Sequence, residues 1–383
     1  MGKTRKLPAY RDREESKSNY MRLSNYSHLL FAACFIATLF VYRETWLSME
    51  HQWAVSSAHG HGYLIAPIAL WLTYRKRHEL ANLPIHSALS GLVALLISAA
   101  VWLIGEISSI NFLIYIGVVA MIPALILLFY GREILKALMF PLAFLFFMIP
   151  AGDFLIPMLM KGTTEATFWK LSQSGLPVYR EGNHLSLPTG RWSVIETCAG
   201  LNYVIAASVL GVLYAYLTYT RRYKQVVFLC LIMFIALIVN WIRAYLTILT
   251  GHLTNMKWGP GHEHVTFGWI IFGVTLGILF WACSKWADPI KSINGNIDSV
   301  TVHSQLRGNL DFNENRVKLS PYRYAYTTTA ALSALAILIT IQTISNDVLR
   351  SSPKLDESKT AMISQGLLPV NHSGFRPEFS GWR

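Results

Sequence analysis

Charge is what this sequence has least of. Only 14% of its 383 residues are Asp, Glu, Lys or Arg, against 53% that are apolar, whereas an ordinary soluble domain is about a quarter charged. That shortage excludes a soluble globular chain, and with it the division of this length into two or three soluble domains. Cysteine is scarce too, and four residues make no disulfide framework. Cys34, Cys230 and Cys283 lie inside apolar runs, which leaves Cys198 alone in polar surroundings. The first 27 residues lack an apolar core followed by a small-residue cleavage site, so they predict a retained tail rather than a signal peptide. No internal repeat or low-complexity tract stands out.

What is present is a series of apolar blocks near membrane-spanning length, at about 28–47, 63–74, 88–105, 110–130, 135–150, 199–219, 225–250, 265–283 and 325–345. The second and fifth are short. The pattern predicts an all-α polytopic membrane bundle of about eight core transmembrane helices and one C-terminal transmembrane helix. The net charge of +12 does not point to nucleic acid, because the Lys and Arg residues cluster beside the ends of the apolar blocks. With a cytoplasmic N-terminus, 21 of the 33 fall on inside segments and 11 outside, steadily from loop to loop. Arg243 alone falls within a span.

This parity divides the chain into a basic cytoplasmic tail (1–27), a transmembrane domain (28–283), a cytoplasmic linker (284–324), an additional transmembrane helix (325–345) and an outer tail (346–383). The polar interruption 151–197 lies outside and predicts a small cap. It holds an amphipathic stretch from Thr164 to Leu171, a turn at Glu181-Gly182-Asn183, and a short strand pair from Leu185–Leu187 and Trp192–Ile195.

Three residues could carry chemistry. Cys198 stands where the cap ends and the sixth span begins, and the unpaired amides and positive dipole end of a helix N-terminus stabilise a thiolate and can later hold an oxyanion. An unassisted thiol titrates near 8.5, so a nucleophile needs that help. Arg243 lies in an apolar span, where a central arginine costs roughly 2.5–3.5 kcal/mol and calls for a functional reason. Asn240, three residues earlier, shares its helix face and can orient the guanidinium. His264 precedes the eighth span. Taken singly, these are equally a buried cysteine, a snorkelling arginine and an interfacial histidine. Jointly they bring a nucleophile, a fixed cation and a base to the outer ends of three consecutive spans, which suits acyl transfer through a thioester.

Glu196-Thr197-Cys198-Ala199-Gly200, Asn240-Trp241-Ile242-Arg243 and His264-Val265-Thr266-Phe267-Gly268 resemble, in order and spacing, the E-x-C-[SA]-G, N-x-x-R and H-x-x-x-G blocks of exosortases of the A type. Gly175–Leu187, Gly211–Tyr219 and His61-Gly62-Tyr63 add similarity, and the resemblance spans about residues 59–283. It implies an inner-membrane cysteine protease and transpeptidase of Gram-negative bacteria with exopolysaccharide loci. Its catalytic residues would be Cys198, Arg243 and His264, with Glu196 and Asn240 in support, and it would need no cofactor or metal. Its partners would be secreted proteins ending in a Pro-Glu-Pro motif, a transmembrane helix and a basic segment, together with an unidentified acceptor nucleophile and the lipid bilayer. The glutamate of such a signal needs a cation, for which Arg180 and Arg191 in the cap are the candidates. Two departures from the family pattern are Asn202, where many members are basic, and Trp241, where a small residue is commoner. The C-terminal Phe375–Arg383 resembles the start of a fused accessory domain.

Two other readings compete. One is a transporter or polymer-export component whose Arg243 binds an anionic substrate. The other is a metalloprotease using His262, Glu263 and His264, for which the spacing is poor and a third ligand set is missing.

Overall fold

The computed structural model describes residues 26–255, 263–288 and 322–351. The basic tail up to residue 25, His262, most of the linker and the residues after 351 lie outside the described residues. A bilayer core offers no water to backbone amides, so the apolar blocks close their hydrogen bonds within themselves as helices. Thr38, Ser98, Ser208 and Thr275 turn their hydroxyls back onto the carbonyl four residues earlier, at 2.7–2.9 Å, which lets polar residues sit in apolar helices.

In chain order the helices are α1 Tyr26–Val41, α2 Arg43–Val55, α3 Gly62–Arg75, α4 Arg77–Ala81, α5 Ser90–Ser108, α6 Asn111–Tyr130, α7 Arg132–Ala137, α8 Met139–Phe144, α9 Ile156–Gln173, α10 Leu201–Thr218, α11 Arg222–Leu253, α12 Glu263–Ser284 and α13 Tyr322–Ser351. Six of them are long and apolar enough to cross a membrane, and up to eight spans result if each of two bent pairs counts as one. The chain is an all-α polytopic membrane bundle. Against the nine blocks of the sequence, the count differs at the second, and at the first and fifth, which qualify only as bent pairs, the first being Tyr26–Val41 with Arg43–Val55 at 69°. The second is α3, whose 14 residues rise only about 21 Å. The fifth is broken into α7, α8 and a 3-10 turn Leu145–Met148, and α9 then leaves at 64°.

Contacts sort the helix ends into two sets. At one end Lys224, at the start of α11, bonds Asp288 just past α12 at 2.5 Å, and Asp288 also accepts from Thr220 in the α10–α11 turn. Lys76 after α3 reaches the carbonyl of Ala137 at the end of α7. At the other end Trp53 of α2 donates to the carbonyl of Met148 at 2.8 Å, and Asn202 at the start of α10 donates to Ser57 in the α2–α3 loop at 3.1 Å.

The cap belongs to this second end. Three antiparallel strands, β1 Tyr179–Glu181, β2 His184–Leu187 and β3 Gly190–Ser193, join in the order β1-β2-β3. The expected strand pair is therefore extended by a third strand before the Glu181-Gly182-Asn183 turn. The amphipathic stretch is part of α9. Leu185 and Leu187 pack with Leu171 of α9 and Ile248 of α11, which fastens the sheet to the bundle.

The C-terminal helix is not peripheral. Ala330, Ala331, Ala334, Leu338 and Ile341 of α13 share one core with Cys34 and Tyr42 from the first helical pair and with Leu95 and Ala99 of α5. Tyr26 bonds Thr328, Cys34 reaches the carbonyl of Ala331, and Tyr42 donates to the carbonyl of Leu338, a rising order that makes α13 parallel to α1.

Candidate active site

Cys198 sits on a joint. Beyond β3 the chain makes one 3-10 turn, Glu196–Cys198, and then enters α10. Between them Ala199 is right-handed helical (φ −61°, ψ −27°) and Gly200 left-handed (φ +93°, ψ 10°). A Cβ at Gly200 would lie 2.5 Å from the side-chain amide of Asn240, so both conformation and space require glycine. A right-handed residue followed by a left-handed one turns successive amides into an anion-binding concavity. Among the described residues, the amides of Gly200 and Leu201 donate to no other group. Both residues are buried, one and two positions past Ala199, at the positive end of an 18-residue helix.

Arg243 and Asn240 hold this joint from behind. Both are buried, 4% and 1% exposed. The guanidinium donates from Nε (3.3 Å) and Nη2 (3.0 Å) to Asn240 Oδ1, and from Nη2 to the carbonyl of Cys198 at 3.3 Å. A guanidinium only donates, so Asn240 must turn its oxygen to Arg243. Its nitrogen then meets the carbonyls of Ala199 (3.1 Å) and Cys198 (3.3 Å) and the hydroxyl oxygen of Thr163 (3.0 Å). The ring of Tyr203 lies 5.6 Å from the guanidinium carbon, a cation–π contact.

The third motif arrives on α12. At Gly268 a Cβ would lie 2.6 Å from Arg243 Cδ and would also meet the Tyr203 hydroxyl, so this glycine lets α12 approach the other two helices. His264 is in the first turn of α12, four residues before Gly268. The backbone therefore sets it on the same helix face, one turn nearer the end of the bundle that carries Cys198. Glu263 is the first residue of the helix.

The cap candidates separate. The register Arg180↔Leu185↔Trp192 puts Arg180 on the sheet face that buries Leu185, and its Nη1 lies 3.7 Å from Glu165 of α9. Arg191 opposes Ser186 on the other face, 60% exposed and 3.3 Å from Glu181. Glu196 is exposed and begins the 3-10 turn, where its carbonyl accepts the amide of Ala199.

Several neighbours of the site carry no mark in the three motifs. Thr163, Tyr203 and Ser57 are the chief ones. The α2–α3 loop also grips the break before α9: His59 Nε2 lies 3.3 Å from the carbonyl of Ala151, and His61 lies 2.9 Å from that of Phe147 and 3.2 Å from that of Ala58. Burial holds His61 below the ordinary histidine range, against the opposite pull of those carbonyls. The available signal for Thr163 was the run of threonines at 163, 164 and 167, polar residues on the buried face of an amphipathic helix.

Comparison with known proteins bears on this arrangement. A search of curated proteins and a search of solved structures returned no match. The family description "transmembrane exosortase" matches residues 53–281, about three-fifths of the chain. That range runs from the end of α2 through nearly all of α12 and contains the joint, its buried support and the cap. The chain belongs to the transmembrane exosortase family.

Proposed function

We propose that this membrane exosortase is a cysteine-type endopeptidase and transpeptidase acting on C-terminal Pro-Glu-Pro sorting signals of exported proteins. The observation that carries the reading is the fixing of the Cys198 turn by a buried Arg243–Asn240 pair, next to two backbone amides at a helix N-terminus that have no partner among the described residues. In this reading the Cys198 thiolate attacks the scissile carbonyl and His264 takes up the thiol proton. The Gly200 and Leu201 amides receive the oxyanion as the carbonyl bond opens. Collapse of the tetrahedral intermediate breaks the peptide C–N bond, the leaving amine takes its proton from His264, and a thioester remains on Cys198. Water or an amine then attacks that thioester and regenerates the thiol. Arg243 contributes its fixed charge and holds the turn.

The bias of basic residues supports a cytoplasmic N-terminus and a site at the periplasmic face of an inner membrane. A substrate that is itself a single span meets the site in the bilayer plane. Of the two cap arginines, Arg180 is the better receptor for the signal's glutamate, because it faces the bundle and its carboxylate partner among the described residues, Glu165, is 3.7 Å away.

The test is processing of a reporter ending in such a signal, at matched enzyme abundance. Cys198→Ser and Cys198→Ala leave the reporter uncut, and mass spectrometry finds a thioester-linked fragment on Cys198 of the parent enzyme. Normal cutting by Cys198→Ala sinks the reading.

A further inference from the structure

We infer that Thr163, on the cap helix α9, is a positioning residue for the nucleophile turn. This rests on the thiol reading of Cys198 but concerns a residue outside all three motifs, 35 positions before the cysteine. Thr163 is 1% exposed, so its hydroxyl has no water to fall back on. The carbonyl of Ala199, 3.3 Å away, can only accept, so it takes the single hydroxyl proton. The oxygen is then free to accept, and Asn240 Nδ2 lies 3.0 Å from it, the shortest of the three contacts that nitrogen makes.

The hydroxyl thus closes a ring of hydrogen bonds. Thr163 holds Ala199 directly, and it holds Asn240, which holds Ala199 and Cys198 and receives Arg243. Both carbonyls that follow the reactive side chain are turned inward, towards α9 and α11. With those carbonyls drawn in, the amides of Gly200 and Leu201 have no partner among the described residues. Members of such a buried ring are fixed more firmly than by pairwise contacts. Thr163 is the only member of the ring that comes from the cap, so displacement of α9 pulls on the nucleophile turn directly. Its role is to fix geometry, since nothing places it against the reacting atoms.

Three variants and two measurements decide the matter. Thr163→Val keeps the shape and removes the hydroxyl, Thr163→Ser keeps the hydroxyl, and Cys198→Ala is the reference. The first measurement is kcat and KM for the reporter, per folded enzyme. The second is the pH profile of iodoacetamide alkylation of Cys198, read by mass spectrometry of its peptide, which needs no proteolytic activity. Loss of the hydroxyl's two buried hydrogen bonds predicts a fall in kcat of about tenfold or more for Thr163→Val with KM within about twofold. It also predicts an altered alkylation profile, and Thr163→Ser restores both. The inference is overturned if Thr163→Val matches the parent in both measurements, or if Thr163→Ser is as impaired as Thr163→Val, which would make the position a matter of packing. Cutting by Cys198→Ala would overturn the protease reading alone, while the alkylation profiles would still decide the role of Thr163.

Discussion

At the residue scale the site depends on one backbone conformation. Gly200 holds φ +93° in contact with Asn240, so Gly200→Ala meets two obstacles at once. The left-handed conformation costs about 1–3 kcal/mol for a residue with a side chain, and the new methyl displaces the amide that carries Arg243. We expect a lower thermal midpoint and a loss of reporter processing of about a hundredfold, the scale of a small misplacement of reacting groups. Processing within twofold of the parent would show that the turn tolerates repositioning. Cys198 and Arg243 were legible in the sequence because each is out of keeping with its surroundings, a thiol outside the apolar runs and a charge inside one. Asn240 was legible by helical spacing from Arg243. Thr163 was not, since threonine is ordinary in a helix and its partner Asn240 is 77 positions away.

At the scale of elements, the α2–α3 loop and the break before α9 stand or fall together, because histidines of the loop hold carbonyls on both sides of that break. His61 belongs there in its neutral form, since burial holds its pKa below that of an exposed histidine, about 6.5. A base depressed in the folded state binds fewer protons than in the unfolded chain. Its contribution to stability is complete above about pH 6.5 and declines as pH falls towards the folded value. Thermal midpoints in detergent should therefore drop between pH 7.5 and 5.5, and His61→Gln should flatten that part of the curve. A slope unchanged in His61→Gln would assign the pH response elsewhere. The sequence disclosed these elements unevenly. The β-turn signal and alternation of the cap located its strands, with β1 missed as a partner. The apolar run 135–150 looked like one span because Pro141 and the 3-10 turn Leu145–Met148 break the helix without breaking the hydrophobicity.

For the whole molecule, the two sets of helix ends make a claim about sides that is independent of charge bias. Glu181 in the cap belongs to the end that carries Cys198, Lys285 follows α12 at the other end, and α13 runs parallel to α1 towards the site end. Single cysteines in a background lacking all four native cysteines, Cys34, Cys198, Cys230 and Cys283, test this with a membrane-impermeant maleimide. Glu181→Cys and Ser351→Cys should label from one side in intact cells, and Lys285→Cys only after lysis. Labelling of Ser351→Cys together with Lys285→Cys would refute the parallel arrangement. That the chain is a bundle of membrane-length helices was readable at this scale from hydropathy alone, whereas the number of spans was not, because bends at Tyr42 and near Ile149 interrupt helices without interrupting the apolar runs. The docking of the last helix on the first was not, because neither helix carries a residue whose chemistry names its partner.

That docking has a consequence for how the protein is made. The neighbours of Cys34 and Tyr42 include Ala331 and Leu338, about 300 residues later in the chain. At a synthesis rate of about 5–20 residues per second, α1 waits roughly 15–60 s between its own emergence and that of α13. During that interval the apolar groove against α5 is open to lipid or to an insertion chaperone, while α10, α11 and the nucleophile turn can already assemble. The half of the bundle that bears the chemistry is thus completed before the half that begins the chain.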